Sequence, residues 1–103
     1  MSDQEKIVVQ IDPDIIELIP GFLDNRKNDV TRIRDLLAAK DFAQIKLLGH
    51  SMKGAGGGYG FDEITSIGAV IESAADAEDS GGISDGADRL EKYLSQIEVV
   101  AEQ

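Results

Sequence analysis

Apolar residues return every third or fourth position along most of this chain, the spacing of one face of an α-helix. Residues 1–6 are polar and read as a frayed tail. Ile7, Val8, Val9 and Ile11 then form a short extended apolar stretch that packs on the remainder, either as a strand or as plain extended chain. Asp12-Pro13 reads as an N-cap followed by a first helical position, which predicts a short leading helix over Pro13–Ile19. A second helix is predicted from Pro20 to Lys40, with Phe22, Leu23, Val30, Ile33 and Leu37 as its stripe. Asp41-Phe42-Ala43-Gln44 resembles a capping box with Asp in the cap role. It opens a third helix whose stripe is Ile45, Leu48, Met52, Ala55 and Tyr59. The run Gly56-Gly57-Gly58 weakens its end, by roughly 1 kcal/mol per glycine relative to alanine, and Gly60 is a natural stop.

The fourth helix is predicted over Phe61–Asp79, with Ile64, Ile67, Ile71, Ala74 and Glu78 in step. Ser80-Gly81-Gly82 reads as a turn. The fifth helix, Ile83–Val99, carries the most regular stripe: Ile83, Ala87, Leu90, Leu94, Ile97 and, beyond its end, Ala101. Four amphipathic helices on short turns predict an all-α fold. The expected form is an antiparallel up-down-up-down four-helix bundle with a short extra N-terminal helix. The expected division is a tail and extended segment over 1–12 and one bundle domain over 13–103. All four stripes can be buried within one bundle, which predicts a monomer.

Composition narrows the function. Hydrophobic residues make up 42% of 103, enough for a modest core. The net charge of −10, with no basic run, excludes nucleic acid as the main partner and argues against an anionic membrane surface. No stretch approaches the roughly 20 apolar residues of a membrane span, and no signal peptide is visible, so a cytoplasmic protein is expected. The absence of cysteine removes disulfides, thiol chemistry and cysteine-bound metal. A single histidine, His50, removes most remaining zinc sites.

At about 100° per residue, His50 falls on roughly the opposite side of the third helix from its apolar stripe. Lys46, Leu47, Lys53, Gly54 and Gly57 surround it. A lone histidine is most often an ordinary surface residue, and a glycine run is most often a turn. Glycines within a helix reduce its stability, however, and Gly54 and Gly57 lie on the histidine's own face. Small residues there let another protein approach the ring. A free imidazole titrates near pH 6.5 and is mostly uncharged and nucleophilic at neutral pH, so it can attack phosphorus and carry a phosphoryl group. Lysines beside it can pair with the added negative charge.

The segment His50-Ser51-Met52-Lys53-Gly54, within LLGHSMKGAGGGYGF, resembles the H-x-x-K-G signature of histidine phosphotransfer domains. The resemblance extends over nearly the whole chain, because that family's fold is also a helical bundle. It implies that His50 is the phosphoacceptor, reacting through Nε2. It implies that Lys53 steadies the phosphoryl group and that Gly54 leaves room for a partner. The family often places Glu or Gln twenty-two positions after the histidine to hold Nδ1. Here that residue is Glu72, which either fixes the ring's tautomer or is simply a solvated glutamate. The implied docking surface is Lys46, Leu47, Gly54 and Gly57 on the third helix with Thr65 and Ala69 on the fourth. Leu47 reads as a partner contact or as a core residue. Asp76 departs from the family pattern, standing where some members carry a basic residue.

The resemblance implies partners in a two-component phosphorelay: a response-regulator receiver domain, a hybrid sensor histidine kinase, or both. It implies no intrinsic kinase and no ATP site, and with no cysteine and one histidine no metal or other cofactor is expected. KGAGGGYG is not a nucleotide loop, since a P-loop ends in Gly-Lys-Ser/Thr between a strand and a helix. The alternative reading is a bundle that docks on a receiver or kinase without being phosphorylated.

Overall fold

The structure, a computed structural model, describes residues 6–102. In chain order it has strand β1 (Ile7–Ile11), a 3-10 turn (Ile16–Leu18), helices α1 (Ile19–Ala38), α2 (Phe42–Gly58), α3 (Asp62–Asp76) and α4 (Ser80–Gln96), and strand β2 (Ile97–Ala101). The four helices form a bundle around an aliphatic core. Ile33, Ile45, Ile64, Ile67, Ile71, Ile83 and Leu90 are fully buried in it. Each comes from a stripe legible in the sequence.

The helix ends follow local chemistry. Pro20 lies in the first turn of α1, where a missing N–H leaves no intrahelical bond unmade. The Asp41 carboxylate caps α2, accepting from the Gln44 N–H at 3.2 Å. Gly60 closes the α2–α3 turn at φ +91°, a left-handed conformation that favours glycine.

Three stretches differ from the sequence expectations. The leading helix is only the 3-10 turn, because Pro13 and Pro20 leave six residues between them and α1 takes the last, Ile19. The predicted turn Ser80-Gly81-Gly82 is the first turn of α4. Asp79 caps it, its carboxylate accepting from the Gly82 N–H at 3.0 Å, and the chain reverses earlier at Glu78, φ +54°. The fifth predicted helix stops at Gln96. The apolar residues that follow, Ile97, Val99 and Val100, are β-branched and lie in β2 (Ile97–Ala101), which pairs in parallel with β1, Ile7 opposite Ile97 and Ile11 opposite Ala101. The extended stretch at Ile7–Ile11 is therefore a strand.

This two-stranded sheet covers one end of the bundle. Ile11 is fully buried there and lies against Gly60. Val99 lines a groove with Ile16, Ile19 and Leu23. Phe22 stacks with Tyr59 and Phe61, with ring centroids 4.4 and 5.5 Å away. Among the described residues the buried charge is Asp29, held by Arg26 Nε at 2.7 Å.

The α2–α3 pair is the closest in the bundle, and glycines make it so. A Cβ placed on Gly68 would lie 2.5 Å from the Lys53 amide nitrogen and 2.8 Å from the Gly49 carbonyl oxygen. One on Gly49 would lie 2.7 Å from the Glu72 nitrogen, and one on Gly56 2.6 Å from the Thr65 nitrogen. The two backbones thus touch at three levels. Lys46 meets Asp76, His50 meets Glu72 and Gly56 meets Thr65, so the two helices run in opposite directions.

Candidate functional site

His50 sits mid-helix on α2, its side chain 68% exposed, as the helical spacing required of a residue opposite the core stripe. Because the backbones of α2 and α3 are so close, a side chain on α3 reaches it directly. Glu72 Oε2 is 3.0 Å from His50 Nδ1, and Glu72 Oε1 is 2.8 Å from Lys53 Nζ. One carboxylate therefore bridges the histidine and the lysine. Its own side chain is only 20% exposed, so it is a shielded support beneath two more open groups.

The electrostatics assign the proton. The Lys53 hydrogen bond, helped by the one from His50, holds the Glu72 carboxyl below its usual range. Glu72 is thus an ionised acceptor with no proton to give at neutral pH. Nδ1 is then the N–H donor, so in the neutral ring the lone pair lies on Nε2. One turn earlier, Lys46 Nζ pairs with Asp76 Oδ1 at 2.8 Å. That hydrogen bond pushes Lys46 up and Asp76 down from their ordinary values. Both lysines flanking His50 are therefore carboxylate-paired, and both pairs link α2 to α3.

The other predicted residues divide. Leu47, one turn before His50, is 62% exposed, and no core packing claims it. Gly54 faces open space, with nothing within 4 Å of where its Cβ would be. Gly57 is also exposed. Ala69 borders a shallow groove with Lys46, Lys53, Glu72, Ser73 and Asp76. Thr65 is turned inward instead. Its hydroxyl donates to the Lys53 carbonyl at 2.9 Å and accepts from the Gly57 N–H at 2.7 Å.

The sequence reading gave no packing role to Gly49, Gly56 or Gly68, which set the helix separation on which every site contact depends. A signal was present. Gly49 and Gly56 fall in step with Ile45 and Met52, and Gly68 lies beside Ile64 and Ile71 on the buried side of α3. A glycine on an apolar stripe marks close backbone approach. The pairing of Lys46 with Asp76 was likewise not read, since it joins positions 30 apart.

Among the described residues, no group of three His, Cys, Asp or Glu side chains is placed to hold a metal ion. No helix there is long and apolar enough to cross a membrane. The family model for the Hpt domain matches residues 17–100. No curated protein and no solved structure matches the chain.

Proposed function

The chain belongs to the Hpt domain family, whose members serve histidine phosphotransfer in two-component phosphorelays, and from that premise we propose that His50 is the residue that carries the phosphoryl group. The observation that carries this reading is the Glu72 bridge, which fixes the Nδ1–H tautomer and leaves the lone pair on Nε2.

The exchange runs with the aspartate of a receiver domain. Nε2 attacks the phosphorus of the aspartyl phosphate, the P–O bond to the carboxylate breaks, and an Nε2–P bond forms. The aspartate leaves as a carboxylate. The ring, now bonded at Nε2 and still protonated at Nδ1, carries positive charge that the Glu72 carboxylate offsets. Lys53 has three N–H donors and uses one on Glu72, so the other two can meet phosphoryl oxygens. Transfer in the reverse sense uses the same contacts. The chain supplies no kinase chemistry of its own, in keeping with a family of phosphotransfer modules.

Leu47 and Gly54 form the approach surface in this reading, one an exposed apolar contact and the other a cleared track beside the ring. Gly57 and Ala69 flank them, and Lys46 marks the edge. A receiver domain or a sensor kinase is the partner.

The test is transfer of radiolabel from a phosphorylated receiver domain. The expected product is acid-labile, alkali-stable label on this chain. His50→Gln should abolish it with the helical circular dichroism unchanged, and Lys53→Ala should alter transfer rate or phosphoryl lifetime without altering folding. Label that survives in His50→Gln refutes the assignment. Binding of the receiver without any label supports the docking-only alternative.

A further inference from the structure

Lys53 is gripped by α3 at both ends. Its ammonium is on Glu72, and its backbone carbonyl accepts from Thr65. The second grip is unusual. Lys53 and Gly57 stand four apart in α2, so the Lys53 carbonyl and the Gly57 N–H are the acceptor and donor of one helical turn. The Thr65 hydroxyl, from another helix, bonds to both.

That turn is the weakest in α2. It contains Gly54, Gly56 and Gly57, with Gly58 following, and each glycine disfavours helix relative to alanine. Gly54 and Gly58 make no contacts where a side chain would be, so nothing on the outward face steadies them. The inward face is held by Thr65. Its backbone lies against Gly56 so closely that a Cβ there would stand 2.6 Å from the Thr65 nitrogen. A threonine at this contact delivers one hydroxyl that both donates and accepts, which a methyl group cannot do.

We propose that Thr65 is a positioning residue for phosphotransfer: its hydroxyl fixes the Lys53–Gly57 turn and so sets where Lys53 stands relative to His50. This rests on the phosphotransfer reading above and adds a residue that touches neither the phosphoryl group nor its acceptor ring. It also gives the glycine-rich turn a dual character. The outward side is bare for a partner, and rigidity is supplied from behind.

The test is a double-mutant cycle on the initial rate of label transfer from a phosphorylated receiver domain. Thr65→Val keeps the shape and removes the hydroxyl; Thr65→Ser keeps the hydroxyl. Thr65→Val removes both hydrogen bonds and should slow transfer roughly 2- to 10-fold, since only part of their net worth acts on the position of Lys53. Thr65→Ser should transfer near the unmutated rate. In a Lys53→Ala background, Thr65→Val should have no further effect, because its influence passes through Lys53. Thermal melts of all variants, with rates taken well below every midpoint, keep unfolding out of the comparison. Amide exchange at Gly57 should quicken in Thr65→Val and not in Thr65→Ser. An equal slowing with and without Lys53, or an unchanged rate in Thr65→Val, overturns the proposal while leaving His50 in place. Unmutated protein that takes no label overturns the phosphotransfer reading, and this one with it.

Discussion

One substitution made at two glycines should have opposite effects. Gly→Ala within a helix ordinarily gains about 1 kcal/mol. At Gly54 nothing stands in the way of the new methyl, so the gain should appear in full. For a domain of this size it raises the melting midpoint by about 4–8 °C. At Gly68 the methyl would meet α2 backbone at two points, 2.5 Å from the Lys53 nitrogen and 2.8 Å from the Gly49 oxygen. Backbone cannot rotate aside as a side chain can, so α3 must move out by about 0.9 Å to reach an ordinary contact near 3.4 Å. Overpacking of this kind costs about 1–3 kcal/mol, and two backbone clashes argue for the upper end. Set against the helix gain, the net loss is on the order of 2 kcal/mol, a fall of about 8–16 °C. The same displacement would stretch the 3.0 Å His50–Glu72 contact to nearly 4 Å, beyond hydrogen-bond range. Thermal unfolding followed by circular dichroism measures the first effect, and label transfer the second. Gly54→Ala should melt higher yet dock a receiver less well. A Gly68→Ala protein that melts at or above the unmutated midpoint would refute the claim that backbone contact sets the helix spacing.

Two further outcomes follow from the ends and the interior of the bundle. Asp79→Ala removes the cap from a helix whose first turn contains Gly81 and Gly82, and should cost about 1 kcal/mol by denaturant titration, with transfer unaffected. Burial pushes the Asp29 carboxyl above its ordinary 3.8, with Arg26 opposing. The folded state therefore holds that proton more tightly than the unfolded state does. Its contribution to stability is full below pH 3.8 and is lost as pH rises through the folded value. Stability measured against pH should thus fall more steeply in the unmutated protein than in Asp29→Asn across that window, and the opposite slope would contradict the burial argument.

The helices were legible because each carries a stripe that a local rule can find. Ile64, Ile67 and Ile71, or Ile83, Ala87 and Leu90, have one plausible use at that spacing. The outward placement of His50 followed from the same rule. Glu72 could be located only through the family resemblance, because nothing within twenty residues of His50 reveals which side chain on the next helix will face it. The strands were harder still. Ile97 continues the α4 stripe in step, so periodicity extends the helix through it, and only a partner at the far end of the chain makes the extended form preferable. Thr65 was read as part of the docking face, since the wheel locates a side chain without revealing what its hydroxyl bonds to.

The parallel pairing of β1 with β2 has a consequence for how the chain folds. Ile7 and Ile97 are neighbours across 90 intervening steps of sequence. Closing so long a loop in an unfolded chain costs about 4 kcal/mol in chain entropy, from a (3/2)RT ln n dependence. Ten residues of ribbon have little with which to repay that ahead of time. Once the helices have assembled, the two ends already lie together and the closure is nearly free. The sheet is therefore a late, dependent element: it has no nucleus of its own, and its existence certifies that all four helices have already found their places.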